Sequence, residues 1–142
     1  MRFWDASAVV PLVALESESD GCRRFLAEDR DMVVWLLTPV EVISALTRRL
    51  RERTLRPSDF RKAKAQLVLL EQAWSEVVSV ERARERARRL LESHPLRAAD
   101  ALQLAAALVL SEERPEELPF VTLDERLGQA AEKEGFTLLT TA

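Results

Sequence analysis

The chain contains little glycine and a single cysteine, and each shortage excludes certain binding motifs and structural sites. Its 142 residues include 3 glycines, at positions 21, 128 and 135, too far apart for a P-loop or a glycine-rich dinucleotide motif. The lone Cys22 cannot form an internal disulfide, which fits a reducing, cytoplasmic setting. Cys22 and the single His94 also provide no ligand set for a structural zinc ion.

Long apolar runs are also missing. The run at residues 8–15 is short and contains Pro11, so we expect neither a secretory signal nor a transmembrane helix, and no membrane partner. A composition of 47% hydrophobic and 32% charged residues is typical of a globular protein, and we expect one domain over residues 1–142. The net charge of −3 does not favour nucleic-acid binding by the whole molecule, so such contacts would need local arginine clusters or metal ions.

Short apolar strands alternate with amphipathic helices along the chain. Strands are expected at residues 2–4, 32–37, 120–123 and 137–140, with a short strand or linker at 76–80. Helices are expected at residues 7–15, 19–28, 57–74, 81–93, 97–110 and 125–134, with another beginning at residue 38. This alternation predicts an α/β fold in which helices flank a central, mostly parallel sheet.

Four acidic residues stand where a predicted strand or loop gives way to a helix: Asp5, Glu41, Asp100 and Asp124. In a parallel sheet all strand-to-helix junctions lie at one edge, where ligands bind. Carboxylates gathered there would repel each other by roughly 3 kcal/mol per pair at about 5 Å, and a divalent cation is the simplest way to keep them ionised. Since Mg²⁺ and Mn²⁺ prefer such oxygen ligands, the pattern predicts metal-dependent phosphate chemistry.

Each acid also has a purely structural interpretation, because acidic side chains stabilise helix N termini. Glu41 fits a Thr-x-x-Glu capping box in which Thr38 is the cap and Pro39 the first helical residue. Asp124 is placed to cap the helix that follows it. Asp100 is harder to explain in this way, since it lies in an almost wholly apolar segment where a charge needs a partner or a metal.

In their order along the chain, these segments resemble the motifs of PIN-domain ribonucleases, most closely the toxins of VapBC toxin–antitoxin systems. The matching segments are Trp4-Asp5-Ala6-Ser7-Ala8, Pro39-Val-Glu41-Val-Ile-Ser-Ala-Leu46, Leu96-Arg97-Ala-Ala-Asp100-Ala-Leu-Gln-Leu-Ala-Ala-Ala107, and Phe120-Val-Thr122-Leu-Asp124-Glu-Arg-Leu-Gly-Gln-Ala-Ala131. The third segment is the most specific. One departure is Ser44, which stands where family members often have asparagine.

The resemblance implies a PIN-like fold and a toxin that cuts RNA with a metal-activated water, leaving a 5′-phosphate and a 3′-hydroxyl. It implies Asp5, Asp100 and Asp124 as inner ligands of Mg²⁺ or Mn²⁺, with Glu41 binding directly or through water. It also implies two protein partners. One is an antitoxin whose tail crosses the acidic groove, and the other is a second copy of the chain in a homodimer.

Several polar side chains near the acids have two interpretations. Ser7 and Thr122 would orient waters, or they serve only in capping and strand packing. Arg97, three residues before Asp100, would contact phosphate or neutralise the acids. The basic residues at 48–64 and 82–89 are either an RNA-binding track or solvated helix faces, and for the second group we prefer intrahelical Glu–Arg pairs.

The remaining distinctive side chains are interpreted as structural. The three tryptophans are expected in the core or an interface, and Cys22 is expected to be inert on the inner face of its helix. His94, next to Pro95, is expected at the surface.

Two other functions stay open. A catalytically inactive PIN-like binding domain would keep the fold but bind no divalent cation. An aspartate-based phosphoryl-transfer domain would use Asp5 as its nucleophile. Against this second alternative, Ser7 stands where phosphatases of that type need another aspartate, and no lysine occurs between Lys64 and Lys133.

Overall fold

The computed structural model describes residues 1–141, and its centre is a five-stranded sheet. The strands are β1 Arg2–Trp4, β2 Met32–Trp35, β3 Ser75–Val77, β4 Phe120–Val121 and β5 Leu138–Leu139. All four strand pairs are parallel, and the order across the sheet is β3-β2-β1-β4-β5. The predicted α/β fold is confirmed. Strands β2 and β3 are added on one side of β1, and β4 and β5 on the other.

Seven α-helices pack on this sheet within the described residues: α1 Ala6–Val13, α2 Ser19–Glu28, α3 Thr38–Arg51, α4 Pro57–Ala73, α5 Val80–Ser93, α6 Ala98–Leu110 and α7 Glu125–Glu134. Helix α1 continues through Pro11 instead of breaking there. Gly135 ends α7 with a φ of 107°, a left-handed conformation that glycine adopts without strain. In residues 1–141 no helix combines the length and the apolar character needed to cross a bilayer.

The alternation of side chains along the strands divides the core between the two faces of the sheet. In β1, Phe3 packs with residues of α5, α6 and α7, whereas Trp4 packs with residues of α1, α2, α3 and α4. The predicted interior position of all three tryptophans is confirmed, since Trp4, Trp35 and Trp74 are each at most 8% exposed. Cys22 is likewise buried, and burial raises the pKa of its thiol to about 11, which agrees with an inert residue.

The predicted surface position of His94 is wrong. This residue is 8% exposed, and its Nε2 lies 2.7 Å from Glu134 Oε2. Arg86 also reaches Glu134, at 3.1 Å, and binds both carboxylate oxygens of Glu113. The predicted Glu–Arg pairs within α5 are not formed among the described residues, because its one paired arginine bonds instead to carboxylates on other elements.

Candidate metal centre

The four acidic residues noted in the sequence lie near the carboxyl edge of the sheet. Asp5 directly follows β1, and Asp124 lies three residues beyond the end of the neighbouring strand β4. Glu41 is in the first turn of α3, after β2, the other neighbour of β1. Asp100 is in the first turn of α6. Because the sheet extends to both sides of β1, this edge is the switch point at which α/β folds bind ligands.

Asp5 is the most enclosed of the four, with 3% of the residue exposed. Its Oδ1 accepts a hydrogen bond from Ser7 Oγ at 2.8 Å, and its Oδ2 accepts one from the Ser7 backbone N–H at 3.3 Å, which caps α1. Burial raises the pKa of Asp5 to about 7, the hydroxyls of Ser7 and Thr122 oppose this increase, and the charge of Asp124 adds to it. A cation beside Asp5 would therefore favour its ionised form.

Two hydroxyl groups connect Asp5 to the segment that carries Asp124. Ser7 Oγ lies 3.3 Å from Thr122 Oγ1 and accepts the backbone N–H of Leu123 at 2.9 Å. Thr122 Oγ1 in turn accepts the backbone N–H of Asp124 at 3.0 Å. These contacts place both hydroxyls between the ends of β1 and β4, beside Asp5 and Asp124.

Asp124 and Asp100 interact in different ways with their surroundings. Asp124 Oδ1 accepts the backbone N–H of Leu127 at 2.8 Å and so caps α7, as its position in the sequence suggested. Burial raises the pKa of Asp100, as does the charge of Asp124, whereas Arg97 and Arg126 lower it. Arg97 is exposed beside Asp100 and partly neutralises it. Arg126 does the same from α7, a role that no local pattern in the sequence predicted.

The capping box predicted around Glu41 is wrong. Helix α3 begins at Thr38, its N-cap is Leu37, and no side chain caps it. The Thr38 hydroxyl is buried and instead accepts a hydrogen bond from Gln103 Nε2 at 3.0 Å. The same nitrogen donates to Glu41 Oε2. Both polar side chains at the start of α3 therefore bind a residue from α6 rather than the free amides of their own helix.

Gln103 is the residue at this site that sequence inspection missed. A signal was present, because Gln103 and Asp100 are the only polar residues in α6. They are three residues apart, which places them on the same side of a helix. A polar side chain in such a position, in a helix otherwise composed of alanine, leucine and valine, indicates a specific partner.

The four carboxylates form a row of interacting charges, in which Asp124 affects Asp5 and Asp100, and Asp100 affects Glu41. Burial is the largest cause of the raised pKa values of Asp5, Glu41 and Asp100. The charge of Asp124 raises the pKa of Asp5 and of Asp100 further. The charge of Asp100 does the same for Glu41. Across residues 1–141, no three acidic, histidine or cysteine side chains are arranged to enclose a metal ion. Repulsion of roughly 3 kcal/mol per pair at about 5 Å opposes closer approach of these oxygens unless a cation lies between them.

The chemistry of the donor set nevertheless fits a hard divalent cation. None of the four acids forms an ion pair with an arginine or lysine in the described part of the chain. Burial raises the pKa of Glu41 to about 7, against the hydrogen bond from Gln103. Carboxylates that are both desolvated and mutually repelling gain from a cation, and a set made of oxygen donors suits Mg²⁺ or Mn²⁺.

A cleft of about 1030 Å³ opens beside Asp124, between α2 and α7. Its walls carry the carboxylates of Glu18, Asp124, Glu125 and Glu132 and the guanidinium of Arg24. A side chain at Gly128 would approach the Leu138 side chain to 3.1 Å, so glycine leaves space at this wall. Of the four acids, Asp124 alone is among the residues that line this cleft.

The basic residues at 48–64 belong to α3, to α4 and to the turn between them. Arg48 is seven residues beyond Glu41 in the same helix, which corresponds to about 10 Å along its axis. Arg49 pairs with Glu16 at 3.1 Å. Arg49 therefore has a carboxylate partner outside the four acids, and the RNA-binding interpretation of this group stays a prediction.

Comparison with known proteins identifies relatives of the chain. Residues 2–133 match the PIN domain family. No curated protein sequence matches significantly.

Solved structures share the fold. PAE2754 from Pyrobaculum aerophilum is 19% identical, with 96% of this chain and 87% of that chain covered and a TM-score of 0.63. FitAcB from Neisseria gonorrhoeae is 14% identical, with 98% and 96% covered and a TM-score of 0.64. VapBC2 from Rickettsia felis, solved bound to a DNA fragment from their promoter, is 10% identical, with 99% and 98% covered and a TM-score of 0.63.

Proposed function

Because the chain belongs to the PIN-domain family, we propose that it is a divalent-metal-dependent endoribonuclease and the toxin of a toxin–antitoxin pair. The observation that carries this proposal is the row of four carboxylates at the sheet switch point, none of which has an ion-pair partner in the described residues. Desolvation and repulsion by neighbouring carboxylates disfavour the ionised states of Asp5, Glu41 and Asp100. A cluster of desolvated carboxylates without ion-pair partners is best explained by binding of a cation.

Asp5, Asp100 and Asp124 would hold Mg²⁺ or Mn²⁺, with Glu41 binding directly or through water. Such an ion, when bound, polarises a phosphodiester and activates a water molecule. Residues around the acids orient two of the carboxylates in the absence of metal. Ser7 fixes the orientation of Asp5 through two hydrogen bonds, and the α7 cap fixes one oxygen of Asp124.

The exposed Arg97 beside Asp100 suits a phosphate of the RNA substrate. Its guanidinium would attract the backbone toward the acids, which would otherwise repel it. The charged groups that line the cleft between α2 and α7 are mainly carboxylates, so adjoining nucleotides would enter it next to Asp124 only with cations bound. Cleavage by an activated water would leave a 5′-phosphate and a 3′-hydroxyl.

The proposed partners are an antitoxin and a second copy of the chain. The likeness in fold to FitAcB and VapBC2 supports an antitoxin. Leu37 and Val40, 43% and 65% exposed at the start of α3, offer apolar contacts close to Glu41. Cytoplasmic location is part of the proposal and agrees with a single, unpaired cysteine.

Cleavage of labelled RNA by the purified chain tests the proposal. We expect cleavage with Mg²⁺ or Mn²⁺, none with chelator, and a loss of roughly 100-fold or more in Asp100→Asn with the urea midpoint unchanged. Asp31→Asn is the matched control, because Asp31 is exposed at the opposite edge of the sheet. Full activity in Asp100→Asn would overturn the assignment of the site.

Metal binding separates the alternatives. An inactive binding domain would be favoured if the wild-type chain bound no Mn²⁺ in a calorimetric titration and cut no RNA in the cleavage assay. Phosphoryl transfer by Asp5 is not favoured, because Ser7 stands where such phosphatases need a second aspartate and no lysine occurs between Lys64 and Lys133.

A further inference from the structure

Gln103 has a buried, hydrogen-bonded side-chain amide in an otherwise apolar part of α6, and core packing alone does not explain it. It is 1% exposed, and its amide nitrogen donates one hydrogen bond to Thr38 Oγ1 at 3.0 Å and another to Glu41 Oε2. Its Oε1 has no hydrogen-bond partner within the described chain. A buried polar atom without a partner costs about 1–3 kcal/mol, and an apolar residue of the same size would avoid that cost.

The two hydrogen bonds join helices that lie on opposite faces of the sheet. Val42 and Leu46 of α3 belong to one core layer, and Leu104 of α6 belongs to the other. Helix α3 carries Glu41, and α6 carries Asp100 one turn before Gln103. The amide therefore connects the two helices at the place where their acidic side chains interact.

The amide group itself is held in place. Thr38 is fully buried at the start of α3, so its hydroxyl is a fixed acceptor. With one N–H directed to Thr38, the other N–H of the same nitrogen is directed to Glu41. This geometry restricts the carboxylate of Glu41 to orientations that keep one oxygen against Gln103.

From these contacts we infer that Gln103 is a positioning residue, whose amide sets the Glu41 carboxylate relative to Asp100 so that both can bind one divalent cation. The inference rests on the proposed function. It adds a residue whose contribution is made entirely through Glu41 and which itself contacts neither the ion nor the RNA.

The test is a Mn²⁺ titration by calorimetry of the full chain and its variants. Gln103→Met keeps the volume and removes the donor, and we expect the Kd for Mn²⁺ to rise by about 10- to 100-fold, as for other residues that orient a metal ligand. The midpoint of thermal unfolding without metal should fall, because Thr38 and Glu41 both lose their donor and removal of the unpaired Oε1 offsets only part of that loss. Gln66→Met, an exposed position in α4, is the matched control.

A double-mutant cycle with Glu41→Gln separates positioning from a purely structural role. If Gln103 acts through Glu41, adding Gln103→Met to Glu41→Gln should change the Kd for Mn²⁺ by less than about twofold. An unchanged Kd in the single variant overturns the inference, and so does an equal loss in both backgrounds.

A second variant keeps the test valid if Gln103→Met does not fold. Thr38→Val is nearly isosteric and removes the acceptor that holds the amide, so we expect Mn²⁺ binding to weaken by about three- to tenfold. If Thr38→Val then bound Mn²⁺ with wild-type affinity, the inference about Gln103 would be overturned, but the proposed function would not. Absence of Mn²⁺ binding by the wild-type chain would instead remove the proposed function, and the inference with it.

Discussion

Ser7 Oγ donates to Asp5 Oδ1 over 2.8 Å while it accepts the Leu123 N–H over 2.9 Å, so one hydroxyl joins the ends of two neighbouring strands. The first interaction supports a buried carboxylate, and the second satisfies a backbone amide after β4. Both would be lost together if the hydroxyl were removed.

We therefore expect Ser7→Ala to affect stability and metal binding at once. Loss of the two hydrogen bonds should lower the free energy of unfolding by about 1–3 kcal/mol. It should also raise the pKa of Asp5 further, because the hydroxyl of Ser7 lowers it, and so weaken Mn²⁺ binding near neutral pH. Urea denaturation and calorimetry at one pH measure both effects. Ser93→Ala, at an exposed position, should change neither, and an unaltered Kd in Ser7→Ala would contradict the role given to this hydroxyl.

The raised pKa values predict how stability depends on pH. Burial shifts the pKa of Asp5 from 3.8, and that of Glu41 from 4.5, to about 7 in the folded chain. Between these limits the folded state binds more protons than the unfolded state, so the stabilisation is complete near pH 4 and is lost as the pH rises through 7. For Asp5 alone the loss between pH 5 and pH 8 is about 2–3 kcal/mol.

Urea denaturation without divalent cations, at several values between pH 5 and pH 8, measures this loss. Mn²⁺ binds the ionised carboxylates, so the stabilisation it provides should grow over the same range. A metal-free protein that becomes more stable from pH 5 to pH 8 would be inconsistent with buried, destabilised carboxylates.

Glu134 predicts a second, purely structural effect. Its two oxygens receive Arg86 at 3.1 Å and His94 at 2.7 Å, and both partners are largely buried. Glu134→Gln would leave part of this cluster unpaired and should reduce the free energy of unfolding by about 1–3 kcal/mol without changing Mn²⁺ affinity. Glu92→Gln, on the exposed side of α5, should have little effect on either. A reduced Mn²⁺ affinity in Glu134→Gln would mean that this cluster supports the site.

Much of the fold could be predicted because its determinants are local. The apolar strand segments around Phe3 and Val34, and the left-handed glycine at 135, each depend on a few neighbouring residues. Strand ends were less predictable, since Leu36 and Leu37 are as apolar as the strand before them yet form a turn. Hydrophobicity alone does not determine where a strand stops pairing.

The parts that could not be predicted depend on contacts between distant segments. Gln103 and Glu41 are 62 residues apart, and the competition between Gln103 and the α3 amides for Glu41 is decided only after the helices pack. His94 and Glu134 are 40 residues apart, so the burial of His94 has no local signal.

The positions of Asp5, Glu41 and Asp124 after parallel strands predict the edge at which they lie. Asp100 follows helix α5 instead, so its approach to that edge depends on how α6 packs. The spacing of the carboxylate oxygens depends on side-chain orientations that no motif encodes.

Asp124 combines a capping role with a proposed metal-binding role, and two substitutions separate them. Asn keeps an oxygen for the Leu127 N–H and removes a charge that repels Asp5 and Asp100, so Asp124→Asn should be at least as stable as the wild type. Asp124→Ala also removes the cap and should be about 1 kcal/mol less stable than Asp124→Asn. Both variants should lose Mn²⁺ binding and RNA cleavage to a similar extent, because both lack the carboxylate. Urea denaturation, calorimetry and the cleavage assay measure these effects, and Asp59→Asn in the first turn of α4 is the matched control. Retained cleavage in Asp124→Asn would reduce Asp124 to a helix cap.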